Sequence, residues 1–199
     1  SQRKYPIALL TDTIADLPKN VLDEYQIQQF PINVHVGEST YLDKITITSE
    51  SVYELLREGG KRISSSQPNR KNIESLFSYL ATYYESIIVI TVSKEMSGTY
   101  TAFQKVAEGF KEKKIPITVI DSKVNSAAQG LVVLKAAEAI DAGKSREEVI
   151  ALVEESVRKA SIFVSVDQLE GMIASGRIGK TVGALGKLVN LKPIVSIDE

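Results

Sequence analysis

Short, unbroken apolar runs separated by stretches of helical length constrain this chain more than any other feature. Tyr5-Pro6-Ile7-Ala8-Leu9-Leu10, Ile87-Ile88-Val89-Ile90 and Ile117-Thr118-Val119-Ile120 are such runs. Each suits a strand buried on both faces of a parallel sheet. The segments between them predict helices from after Pro68 to about Tyr83, from near Ser97, and over 127–142. The last of these is apolar on most sides, as a buried helix is. Parallel strands joined this way take right-handed crossovers, which lay helices on both faces of the sheet. The expected fold class is therefore α/β, a parallel sheet flanked by helices on both faces.

Finer signals add elements and a boundary. Gln29 to Val36 predicts a strand, ended by Gly37. Asp16 can cap a helix with Pro18 in its first turn, and Thr48 can cap one running to Arg57. Ser145-Arg146-Glu147-Glu148 has the form of a capping box, with Val149, Ile150, Leu152, Val153 and Val157 on the buried face behind it. Ser161 to Val166 predicts one more strand. Beyond it Gly171, Gly176, Gly179, Gly183 and Gly186 crowd together. A boundary is expected there, with an α/β domain over 1–165 and the beginning of a second, smaller α+β domain over 166–199. Pro193 to Ile197 reads as a strand with no layer after it, so the chain is expected to be a fragment, its second domain incomplete.

Composition narrows the chemistry. A chain of 199 residues, 43% apolar, can build a core without disulfide or metal support. It has no cysteine and one histidine, which excludes a disulfide framework, a cysteine zinc site, an iron–sulfur cluster and thiol catalysis. Lysine and arginine number 24 against 25 acidic residues, without the basic excess of a nucleic-acid binder. No apolar run approaches the roughly 20 residues of a membrane span, and no signal peptide opens the chain. A cytoplasmic protein is expected, without stable membrane insertion.

Familiar catalytic signatures are missing. No Gly-x-Ser-x-Gly elbow occurs, and a Ser/His/Asp triad would need His35, which sits in the strand-like Ile32-Asn33-Val34-His35-Val36. No Gly-x-Gly-x-x-Gly follows the first strand. Asp12 and Asp16 are four apart, too far for the close pair an aspartyl-phosphate enzyme would place after that strand, so Asp12 is expected to accept backbone amides instead. Two segments imitate a phosphate loop, but Ala174 and Glu138 stand where its first glycine belongs. Acidic residues are scattered and no histidine pair exists, so no metal or cofactor is expected.

Three polar segments remain: Thr11-Asp12-Thr13, Ser64-Ser65-Ser66-Gln67-Pro68-Asn69 and Ser93-Lys94-Glu95-Met96-Ser97-Gly98-Thr99-Tyr100. Each joins a strand or loop to a helix. At the carboxyl ends of parallel strands, helix N-termini offer free amides and a positive dipole to an anionic head group. Gly98 would let a ligand approach the backbone closely. The same hydroxyls would also serve as ordinary helix caps.

Taken in order, these segments resemble the DegV family of fatty-acid-binding proteins. Thr11-Asp12-Thr13-Ile14-Ala15-Asp16-Leu17-Pro18 is similar to its opening motif. Ser65-Ser66-Gln67-Pro68 is similar to its Thr-Ser-Gln-Pro segment, and Ser97-Gly98-Thr99-Tyr100 to its helix start. Asp121-Ser122, Gly130, Gly176-Arg177-Ile178 and Lys192-Pro193-Ile194 follow in family order. Ser65 stands where the family usually has Thr, Asn69 where it has Ser, and Ile14 where it has Thr. The resemblance implies a long-chain fatty acid as bound ligand, its carboxylate held by Ser65, Ser66, Ser97, Gly98 and Thr99. It implies a carrier without a catalytic set of its own, which presents the acid to an ATP-dependent fatty acid kinase. Arg177 would contact the head group or the kinase; an ordinary surface ion pair is the alternative for that residue. The competing class is a hydrolase or phosphotransferase using Ser97 or Asp12 as nucleophile; a non-enzymatic interaction domain is a third.

Overall fold

The computed structural model describes residues 3–36, 39–42, 63–65, 68–110 and 115–174, with the backbone alone in 33–36, 39–42, 63–65 and 163–174. Its centre is a four-stranded parallel sheet. Strands β1 (Ile7–Asp12), β2 (Gln28–Phe30), β6 (Ser86–Thr91) and β7 (Ile117–Asp121) lie in the order β2-β1-β6-β7. Leu10 pairs with Gln28 on one side and Val89 on the other, and Val89 pairs with Val119. Three further strands, β3 (Asn33–Val36), β4 (Ser39–Leu42) and β5 (Ile63–Ser65), form a separate antiparallel sheet in the order β4-β3-β5.

Side-chain alternation along the central strands builds two cores. Ile7, Leu9, Ile88 and Ile90 face α4 (Ser126–Asp141) and α5 (Arg146–Ala174), meeting Val133, Ile140, Val149 and Val153. Ala8, Leu10, Ile87 and Val89 face α2 (Arg70–Tyr83) and α3 (Thr99–Gly109), meeting Ile73, Phe77 and Phe103. Phe103 packs edge-on against Phe30 with ring centroids 5.2 Å apart. Helices thus cover both faces, as the unbroken apolar runs require. The short α1 (Lys19–Glu24) connects β1 to β2.

Four local expectations change. The segment from Gln29 to Val36 is two strands in two sheets, because Pro31 has no N–H for the ladder and Ile32 N donates to Thr13 Oγ1 instead (3.1 Å). Ser161 to Val166 is helix, part of α5; no glycine or proline interrupts the sequence between Gly143 and Gly171, so the helix opened at Ser145 runs on. The capping half of that start is present, since Ser145 Oγ accepts from Glu148 N at 3.2 Å. Asp16 does not cap α1; Pro18 is the N-cap, and Asp16 N donates to Ser126 O at 3.0 Å. Ser65 ends strand β5 rather than lying in a loop. The helix expected from Thr48 to Arg57 lies outside the described residues.

Candidate functional site

The carboxyl ends of β1 and β6 and the first turn of α4 converge on one buried carboxylate. Asp12 Oδ2 accepts from Val92 N at 2.7 Å, while Oδ1 accepts from Ile14 N at 3.1 Å and Gln129 Nε2 at 3.0 Å. The same Gln129 amide reaches Thr11 Oγ1, which itself donates to Ile90 O at 2.7 Å. Burial pushes the Asp12 carboxyl above its ordinary value, although these donors pull the other way. Asp12 accepts backbone amides as expected, and it joins two loops in doing so. One is its own turn. The other begins at Val92 and carries the Ser97 segment.

That second loop is built from serine. Ser93 N donates to Val124 O at 2.9 Å, and Ser93 O accepts from Met96 N and Ser97 N. Ser97 and Thr99 are both buried, their hydroxyl oxygens 2.8 Å apart, and Thr99 N donates to Ser97 Oγ at 3.3 Å. Gly98 is the N-cap of α3, and Ala102 N donates to its carbonyl. Gly98 has φ −73°, so the backbone does not demand glycine there. Ser97, Gly98 and Thr99 therefore stand together, on a turn fixed by Asp12 and Ser93.

The β7–α4 connection supports the turn from the far side. Lys123 and Ser126 both take left-handed backbone, at φ +61° and +48°. Such conformations cost a non-glycine residue about 1–2 kcal/mol each. Here they aim carbonyls that are used: Val124 O accepts from Ser93 N, and Ser126 O from Asp16 N. Gly130 completes the junction, since a Cβ there would lie 2.4 Å from the Asp16 carbonyl oxygen.

Ser65 reaches this end of the molecule by another route. Thr13 N donates to Phe30 O, and Thr13 Oγ1 holds Ile32 N, so β3 starts beside the Asp12 turn. Ser65 then pairs with Val34, two residues beyond Ile32. Ser66 and Arg177 lie outside the described residues. His35 is in β3, opposite Thr40 and Ser64, as its strand-like setting suggested. Sequence reasoning overlooked Gln129 and Thr91. Gln129 carried one signal, a lone amide in an otherwise apolar helix.

A cleft of about 670 Å³ opens at the opposite, amino-terminal edge of the sheet, lined by Arg3, Leu22, Tyr79 and Tyr83 among others. It shares no residue with the Ser97 turn. No helix among the described residues is long and apolar enough to cross a membrane.

Residues 6–199 match the family model for the uncharacterised DegV family proteins. A DegV domain-containing protein of Clostridium acetobutylicum is 32% identical over 194 residues, covering 97% of this chain and 68% of the relative. Among solved structures, a fatty-acid-binding DegV family protein from Thermus thermophilus superposes with a TM-score of 0.68 at 27% identity, over 77% of this chain and 54% of that one. DegV of Bacillus subtilis, a fatty acid binding protein, superposes at 0.66 with 31% identity, over 78% and 55%. The chain thus spans about two-thirds of the relative's length, and the superposed part about half of each solved chain.

Proposed function

This chain belongs to the DegV family, and from that premise we propose that it binds a long-chain fatty acid and presents the carboxylate to a partner kinase. The observation that carries this reading is the Ser97-Gly98-Thr99 turn. It sets two buried hydroxyls at the N-terminus of α3, at the carboxyl end of a parallel sheet. An anionic head group there meets hydroxyl donors and a favourable dipole. Ser65, at the end of β5, and Ser66 are the further head-group donors of this reading, and Arg177 contacts the head group or the kinase. The solved DegV relatives that bind fatty acids support the choice of ligand.

The energetics are consistent with such a ligand. Burying roughly 15 methylenes contributes about 12 kcal/mol, at ~0.8 kcal/mol each. Association costs about 4–15 kcal/mol against that, so shape rather than charge sets the affinity. The carboxylate adds little by itself, but without partners its burial would be costly. In this reading the protein is a cytoplasmic carrier that leaves phosphoryl transfer to an ATP-dependent kinase. The division into domains 1–165 and 166–199, the second enclosing the lipid, belongs to the same proposal. A nucleophilic role for Asp12 is less well supported, because both of its oxygens are already taken up by Ile14, Val92 and Gln129.

Two variants test the assignment. Ser65→Ala with Ser97→Ala removes two head-group donors and is expected to weaken palmitate binding several-fold or more. Unchanged affinity would overturn the head-group assignment. Arg177→Ala is expected to leave palmitate affinity nearly intact while slowing phosphorylation by the kinase; equal rates would return Arg177 to a surface ion pair.

A further inference from the structure

Thr91 closes β6 and is 1% exposed, yet its Oγ1 has no hydrogen-bond partner among the described residues. Where that hydroxyl points follows from the strand. Ile87 and Val89 face the core built with Phe77 and Phe103, and Thr91, two residues further, shares their face. Because β6 and β7 are parallel neighbours, α3 must return along the sheet, which puts its first turn level with the end of β6. Ala102 and Phe103, one turn in from Thr99, already pack with Val89. Thr91 therefore lies beneath the Ser97-Gly98-Thr99 turn.

Two carboxylates flank it across the ladder, Asp121 as its partner on β7 and Asp12 beside it on β1, and neither bonds to its hydroxyl. The Asp12 oxygens serve Val92 N, Ile14 N and Gln129 Nε2, and Asp121 Oδ1 accepts from Lys94 N and Lys123 N. A buried hydroxyl left without a partner is unusual in a folded protein, and calls for one that the described residues do not supply.

Building on the fatty-acid reading above, we propose that Thr91 is a further head-group residue, whose hydroxyl donates to the ligand carboxylate held at the first turn of α3. Ser97 and Thr99 already bond to each other. Thr91 gives up no hydrogen bond among the described residues when it turns to the ligand. It is thus the hydroxyl best disposed to distinguish a ligand carboxylate from no ligand at all.

Palmitate titration of the full-length protein tests this with two variants. Thr91→Val is nearly isosteric and loses only the hydroxyl; its Kd is expected to rise about five- to tenfold. Thermal unfolding of the lipid-free variant should be unchanged or higher, because no internal hydrogen bond is lost. Thr91→Ser keeps the donor and should restore Kd to within about twofold of wild type. A wild-type Kd in Thr91→Val overturns the assignment. So do equal losses in both variants, which would assign the effect to side-chain shape rather than to the hydroxyl donor, and so does a lipid-free Thr91→Val of clearly lower stability, which would show the hydroxyl to be partnered within the protein. Wild-type protein that binds no palmitate would contradict the fatty-acid reading itself, a different result from binding that ignores position 91.

Discussion

At the scale of single residues, Asp12 organises the site without being its ligand-binding group. Its carboxylate ties the β1 turn to the start of the Ser97 loop, 80 residues away in sequence. Burial raises its pKa, so folding favours the protonated form. The sign follows directly. The stability this group contributes is fully present below its unfolded value of 3.8 and is lost as pH rises through the higher folded value. Asp12→Asn cannot ionise. The unfolding free energy of wild type minus that of Asp12→Asn is therefore expected to fall as pH rises from about 4 towards neutrality. Urea titrations at several pH values would read it, and a difference that grows with pH would contradict this account. That Asp12 caps amides was legible in the sequence, because a strand-end aspartate without a neighbouring acid has that ordinary task. Gln129 left only a faint mark, as a lone amide. Its partners Thr11 and Asp12 are 118 and 117 residues away in sequence, which no local pattern in Ser126–Asp141 reveals.

Among the elements, α4 is placed by contact rather than by side-chain volume. Gly130 brings the helix against the backbone at Asp16, so Gly130→Ala forces two main chains apart. A loss of about 1–3 kcal/mol or more is expected, with the Asp16–Ser126 hydrogen bond and the Gln129 clamp strained together. Gly109→Ala at the end of α3 meets nothing within 4 Å and should be neutral or stabilising by up to about 1 kcal/mol. Equal effects of the two substitutions in chemical denaturation would contradict the close approach. The central strands β1, β6 and β7 were readable because their short apolar runs alternate with stretches of helical length, the pattern of a parallel sheet covered on both faces. The edges of that pattern were not. Val164 and its apolar neighbours fit a strand or a buried helix equally well over so short a run, and only the absence of a breaker after Ser145 separates the two. The small antiparallel sheet was missed for a related reason, as its strands are three or four residues long and polar at Ser39 and Ser64-Ser65.

On the scale of the whole molecule, two cores hold the parallel sheet rigid and leave its carboxyl end to the polar loops. That Ser97, Gly98 and Thr99 stand at a strand-to-helix junction was legible because hydroxyls and glycine there are a local signal. The unmade hydrogen bond of Thr91 was not, since it exists only once the chain has folded around β6. The account's central claim is that this crevice holds a fatty-acid carboxylate. Native mass spectrometry of the full-length protein as purified, followed by denaturing extraction and lipid identification, tests that claim most directly. The account predicts one long-chain fatty acid per chain, and reduced occupancy in the Ser65→Ala, Ser97→Ala double variant. A lipid-free protein that also fails to take up added palmitate would contradict it.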